Sequence, residues 1–332
     1  MSDEFKTYVQ ILGRGKKGAR SLTEQEAERA MSLLLNEEVA PEQAGAFWML
    51  IRIREETVAE TVGFTRATRR FLAQQDRLQE KVDLDWPAYA GKRNELPWFL
   101  LAALALANAG VRVLMHGHAF VGEERIYVNQ VLQAFELEES DSVIAADIAL
   151  QKNNFAFMSL TAIHPVLARM MDLKHILGLR SPVNTVVRMM NPFSAPHSVH
   201  GVFHRGYDEL HLQACEALHD NSVLVFRGGN GEAEVNPERD VTLGKWQSQQ
   251  ASWSRWSKAE TSYKRCKDNL AVSRMLDHWQ GKSSDPFGQQ AVRQTLAAVV
   301  GLVYRIESHA ACLAMADEIW SNRHFQWLAK AN

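Results

Sequence analysis

A chain of 332 residues, 46% hydrophobic and 23% charged, is long enough for a large core and two domains, and its balance is that of an ordinary globular protein. A formal net charge of −2 excludes a general attraction to nucleic acid or anionic lipid, so any polyanion site must be a local patch. Cys215, Cys266 and Cys312 are far apart and in no CxxC pair, which fits a reducing cytoplasm.

In chain order, the opening MSDEFKTYVQ lacks the basic and apolar regions of a signal peptide. Arg14, Lys16, Lys17 and Arg20 then place four cations in seven residues, beside Gly13, Gly15 and Gly18. Such a loop suits a phosphate backbone; a solvated helix-capping loop is the plainer alternative. Thr23 and Glu26 form a capping box, and Ala27, Ala30, Met31, Leu34 and Leu35 follow on one helical face. Pro41 suits the first turn of a second helix, and a third runs to about Phe71. Residues 1–75 read as a small all-α unit of three helices.

From about residue 80 strands and helices alternate, which predicts a mainly parallel sheet flanked by helices. The strand candidates are Val111–Met115, Phe155–Ser159, Val199–Phe203 and Val223–Phe226. Helices are expected over Trp98–Ala109, Val128–Phe135, Leu167–Leu177, Glu209–Leu218, Gln289–Val303 and Ala310–Trp327. Trp98–Ala107, the longest apolar run, is about half the ~20 residues that span a bilayer, so a buried helix and no membrane partner are expected. Lys245–Lys282 is polar and weakly periodic, either a surface excursion or a helix with a basic face. Its tryptophans Trp246, Trp253 and Trp256 stand among the cations of 245–274, either to stack on bases or to pack the excursion down.

Two loops, Tyr89–Asn94 and His116–Gly122, fall at the carboxyl ends of neighbouring parallel strands, where α/β proteins bind ligands. A phosphate cradle there needs several glycines. The first loop has only Gly91, followed by Lys92 and Arg93, which face a cleft or pair locally with Glu95. Lys174, Arg180 and Arg188 form a further basic set. His197, His200 and His204 invite a zinc site, but spacings of three and four along a strand do not converge, so no metal is expected there. Gly228-Gly229-Asn230-Gly231 reads as a turn.

The segments SLTEQEAERAMSLLLNEEVAPEQAGAFWMLIRIREETVAETVGF, LGLRSPVNTVVRMMNPF and VLVFRGGNGEAEVNP resemble glycosyltransferase family 3, the anthranilate phosphoribosyltransferases and pyrimidine nucleoside phosphorylases. The resemblance implies a small helical domain, 1–75 with a contribution from about 165–190, and an α/β domain over 76–332. It also implies dimerisation through the helical domain. The family's Gly-Thr-Gly-Gly-Asp loop corresponds to Pro87–Arg93, and its Lys-His-Gly-Asn-Arg to Met115-His116-Gly117-His118-Ala119. The anthranilate-contacting arginine falls on Lys174, and the magnesium-holding Asp-Glu on Ala233 and Glu234. Tyr89, Gly91, Asn94, His116, Gly117, His118 and Glu234 thus mark a degenerate phosphoribosyl diphosphate site.

The pattern Pro87-x-Tyr89-x-Gly91-x-Arg93, with Gly13-Arg14-Gly15-Lys16 upstream, resembles a divergent bacterial subfamily regarded as dimeric DNA-binding proteins without transferase activity. The resemblance implies a cytoplasmic homodimer binding DNA, or RNA, largely regardless of sequence and without a cofactor. Its contacts would be Arg14, Lys16, Lys17, Arg20, Lys92, Arg93, Lys174, Arg180 and Arg188. The alternative is a phosphoribosyl transferase of altered substrate, with Lys174 on an acidic acceptor and Glu234 on magnesium.

Overall fold

The computed structural model describes residues 3–15, 17–259, 267 and 269–324. Four helices open it, α1 (Phe5–Gly13), α2 (Glu24–Leu35), α3 (Pro41–Arg54) and α4 (Val58–Leu72), one more than the pattern suggested. The added helix, α1, is short and buries only Phe5, Tyr8 and Leu12. Thr23 and Glu26 close the expected capping box on α2, and Thr57 and Glu60 close another on α4. The two helices touch at Gly63, where a Cβ would lie 2.4 Å from the Glu24 carbonyl.

The alternating part runs β1 (Leu84–Ala88), α5 (Phe99–Asn108), β2 (Val113–Gly117), α6 (Asn129–Leu132), β3 (Glu139–Ser140), α7 (Val143–Asn153), β4 (Phe155–Ser159) and α8 (Leu160–Ile163). It continues through α9 (Pro165–Leu177), α10 (Val183–Met189), β5 (His197–Val202), α11 (Tyr207–Leu218), β6 (Ser222–Arg227), β7 (Val241–Gln247) and β8 (Gln250–Trp256). Helices α12 (Ser273–Trp279), α13 (Pro286–Val303) and α14 (His309–Ser321) complete it. The strands form one sheet in the order β3-β4-β2-β1-β5-β6-β7-β8. Strands β1 to β6 pair in parallel, and β7 and β8 are antiparallel. The fold is therefore a small helical domain joined to an α/β domain with a mainly parallel sheet.

Two expectations are corrected. The strand expected at Val111–Met115 runs Val113–Gly117, so His116 and Gly117 lie in the sheet, paired with β1 and β4, and not in a loop. Residues 245–256 of the Lys245–Lys282 segment continue strand β7 and form strand β8, neither a loose excursion nor a helix. There Trp246 and Trp256 are buried, and Trp256 stacks on His309 at 4.0 Å. Lys264, Arg265 and Cys266 lie outside the described residues.

Helix α5 is apolar all round and accordingly buries Phe99 through Ala107. It belongs to one core cluster with β1, β2 and α13. A second cluster joins Phe5, Phe47 and Phe64 of the opening helices to Leu167, Met171, Val183 and Val186 of α9 and α10. Among the described residues no helix is long and apolar enough to cross a membrane.

Candidate functional site

The carboxyl ends of β1, β5 and β6 meet at the loop Tyr89–Asn94. Gly91 takes a φ of +65°, and a Cβ there would press to 2.7 Å on the Tyr127 ring. The turn aims two successive backbone N–H groups at one point, the arrangement of an anion-binding nest. An anion is already there. Oε1 of Glu232 accepts from the N–H of Ala90 at 2.8 Å and of Gly91 at 2.5 Å, and Glu232 is buried.

Beside it, Lys92 is 1% exposed, which corrects its placement as a nucleic-acid contact. Its ammonium lies 2.5 Å from Glu234 and 2.8 Å from Glu95, extending the local Glu95 pairing by a partner 142 residues away. Burial alone would lower the pKa of Lys92, yet the two carboxylates hold it above its ordinary value. One ammonium neutralises one carboxylate. Burial therefore pushes Glu234 up to about 7, with Glu95 adding to the rise and Lys92 opposing it. Oε2 of Glu234 also accepts from the N–H of Phe99, the first residue of α5.

This geometry does not fit magnesium. Glu234 is committed to an ammonium and a helix N-terminus, Ala233 has no ligand atom to offer from its side chain, and Asn230 donates to Glu95 at 3.2 Å. A cation brought there would face Lys92 first. Among the described residues no group of three His, Cys, Asp or Glu side chains is placed to hold a metal ion.

Behind the loop runs a buried chain of hydrogen bonds. Tyr89 Oη meets His116 Nδ1 at 2.6 Å, and His116 Nε2 meets Asp85 at 3.0 Å. Ser198 Oγ bonds Asp85 at 2.7 Å and His200 Nε2 at 2.9 Å, and His200 Nδ1 meets His211 Nδ1 at 3.2 Å. Burial holds His200 well below its ordinary pKa, with His211 second, and pushes His211 down to about 3, with Arg188 second. His197 starts β5, whereas His204 lies beyond its end beside Phe203 and Tyr207.

In front of the loop, a cavity of about 350 Å³ opens between the helical and α/β parts. Arg52, Arg125, Lys174, Arg180 and Arg188 line it, with Glu56 as its lining carboxylate. Glu123 lies against the cations, paired with Lys174, 3.4 Å from Arg125 and 3.9 Å from Arg180. Lys174 also sits 4.5 Å above the Phe120 ring. Phe203, 64% exposed, presents an aromatic face at the same cavity.

The predicted nucleic-acid contacts thus divide. Lys174 and Arg180 share the cavity, and Arg93 is exposed. Arg188 is 8% exposed and bonds the carbonyls of Gly201 and Asn184, so its role as a surface contact is also corrected. Arg14 and Lys17 are exposed after α1, Arg20 is clasped by Glu26 at 2.6 and 2.7 Å, and Lys16 lies outside the described residues. Of the degenerate-site residues, Tyr89 and His116 belong to the buried chain. His118 pairs with Asp172 at 2.7 Å, Asn94 is exposed, and a Cβ on Gly117 would lie 2.4 Å from the Ala88 carbonyl. Sequence reasoning missed Glu232, Arg52, Arg125, Glu123 and Phe203. Two acids in the glycine-rich stretch Gly228–Glu234 were the signal for Glu232, unreadable until the strand order puts β6 two strands from β1.

Residues 6–72 match the family model of the glycosyl transferase family helical bundle domain. The chain is 28% identical to the anthranilate phosphoribosyltransferase of Beijerinckia indica over 70% of its length and 66% of that protein. It is 27% identical to the enzyme of Geobacillus kaustophilus over 70% of its length and 68% of that protein. Matches to curated relatives thus span about two thirds of those proteins. Among solved structures, the anthranilate phosphoribosyltransferase of Thermus thermophilus superposes with a TM-score of 0.78 at 20% identity, covering 99% of this chain and 98% of that one. The Saccharomyces cerevisiae enzyme, in complex with PRPP and Mg, gives 0.77 at 14% identity, covering 99% and 97%. The fold is that of glycosyltransferase family 3, of the anthranilate phosphoribosyltransferase type.

Proposed function

We propose that this protein is a transferase-fold protein of altered substrate, whose cleft takes a phosphate-bearing ligand through side-chain cations and not through a glycine cradle and a metal. One observation carries the reading: Glu232 already fills the backbone nest, while Arg125, Lys174 and Arg180 line an open cavity beside it. Charge-assisted and bidentate contacts from such side chains are the strong way to hold a phosphate oxygen. The transferase relatives favour a phosphorylated small molecule as the ligand.

A nucleic-acid strand is the second reading, favoured by Phe203 at the cavity and by exposed Arg14, Lys17 and Arg93 outside it. In this reading a homodimer, paired through the helical domain, neutralises phosphates along a strand in the cytoplasm. With three phosphates per protomer, log K falls with log salt at a slope of about −5 for a duplex and about −4 for a single strand. Calorimetry with phosphoribosyl diphosphate, with and without magnesium, run beside a gel-shift salt series, decides between the two. Micromolar binding of the small molecule without a metal requirement supports the first. Salt-steep binding of strands alone supports the second. No binding of either removes both.

A further inference from the structure

We propose that strand β8 is a contact between copies of this chain, in which two β8 strands pair antiparallel about a two-fold axis at Trp253. The inference lies at the far edge of the sheet and holds whichever ligand the cleft takes. The sheet ends differently on its two sides. Strand β3 is two residues long, which blunts that edge. Strand β8 is seven residues long, contains no proline or lysine, pairs with β7 without a bulge, and exposes every side chain except Trp256. Among the described residues no further strand pairs with it.

The hairpin fixes which backbone groups face outward. Gln247 and Gln250 flank a two-residue turn and so form a hydrogen-bonded pair, and such pairs then alternate along the strands. Ala251, Trp253 and Arg255 stand between them, so their N–H and C=O groups point away from β7. A second β8 turned about the axis meets all three: Trp253 opposes its own copy, and Ala251 opposes Arg255 of the partner subunit. That register gives three hydrogen-bonded pairs of two bonds each, and any other leaves one of the three without a counterpart in the strand. Arg255, the strand's one charged side chain, is bound to Asp240 at 2.8 Å and faces an alanine across the axis, so no like charges oppose each other. Trp253 is 47% exposed, its ring lying over Gly244, where a Cβ would come within 2.8 Å of it. The partner's Trp253 stands on the same face, so pairing takes apolar surface of both out of water.

The test is sedimentation equilibrium of the full chain over a concentration series. The mass should double as concentration rises, above whatever unit the helical domains set. Ala251→Pro removes one outward donor per copy and leaves the bonds to β7 intact, so it should weaken the doubling about thirtyfold. Trp253→Lys places two ammoniums opposite each other and should abolish it. Hydrogen exchange of the wild type should slow at Ala251, Trp253 and Arg255 in step with the doubling. A mass that never doubles overturns the proposal, as does a doubling that either folded variant keeps unchanged. If Ala251→Pro does not fold, Trp253→Lys decides alone. Exchange already slow at these amides at concentrations without doubling would assign the edge to residues 260–266 of the same chain and overturn it too.

Discussion

Two layers built around cations lie at the same end of the sheet, and they are put to opposite uses. The inner layer, Lys92 with Glu95 and Glu234, is closed on itself and dry. The outer layer, Arg52, Arg125, Lys174 and Arg180, has more cations than carboxylates and lines open space. Sequence shows both as basic residues near a ligand loop. What separates them is solvent: an ammonium taken out of water must be paired, whereas a cation on a cavity wall need not be.

The largest effect that could break this contrast is in the inner layer. Lys92→Met should leave Glu95 and Glu234 buried without a counter-charge and lower unfolding free energy by about 3–5 kcal/mol in denaturant titrations. A loss below ~1 kcal/mol would return Lys92 to the surface.

Next is pH. Glu234, with a folded pKa of about 7 against an ordinary 4.5, binds its proton more tightly folded than unfolded. Stability from this group is present at low pH and falls as pH rises from about 4.5 through 7, by about 3 kcal/mol. His200 and His211 act oppositely, since their folded pKa values are lowered and the unfolded chain takes up protons below its ordinary histidine pKa. The discriminating quantity is therefore the difference between wild type and Glu234→Gln, whose decline over this window should be shallower. Parallel pH profiles would sink the assignment.

In the outer layer the expected pattern reverses. Arg180→Ala should weaken a phosphate-bearing ligand about tenfold, ~1.4 kcal/mol, with a smaller change in stability, since it lines the cavity. Calorimetry and thermal melts on the same samples separate the two. Phe203→Ala should leave stability within ~0.5 kcal/mol because the ring is exposed. It should weaken single strands by ~1 kcal/mol if bases stack there. Unchanged strand affinity would favour the small-molecule reading.

The legible parts of the molecule carried their signals locally. The Thr23–Glu26 box, Pro41 and the apolar α5 each act within a few residues, and each formed as expected. Strand β1 was harder to see because LDWPA contains Pro87 and is buried at every position, so no alternation marks it. The β7–β8 hairpin turns at Ser248 and Gln249, with φ of +54° and +60°, a left-handed pair that usually announces itself as Asn-Gly. The site's decisive partners are remote. Lys92 meets Glu234, and Gly91 meets Glu232, more than a hundred residues along the chain. The local option, Glu95, could be weighed; the distant ones required the strand order.

The buried chain through Asp85 also has a direction. A carboxylate only accepts, so both arms must point their protons toward it. His116 then carries its proton on Nε2 and accepts from Tyr89, while Ser198 donates to Asp85 and accepts from His200 Nε2. His200 Nδ1 is left as an acceptor, so His211 donates from Nδ1 and keeps a lone pair on Nε2. His211 lines the outer cavity. One negative charge in the middle of the sheet thereby settles the tautomers of three histidines and gives the cavity wall a fixed proton acceptor among its cations.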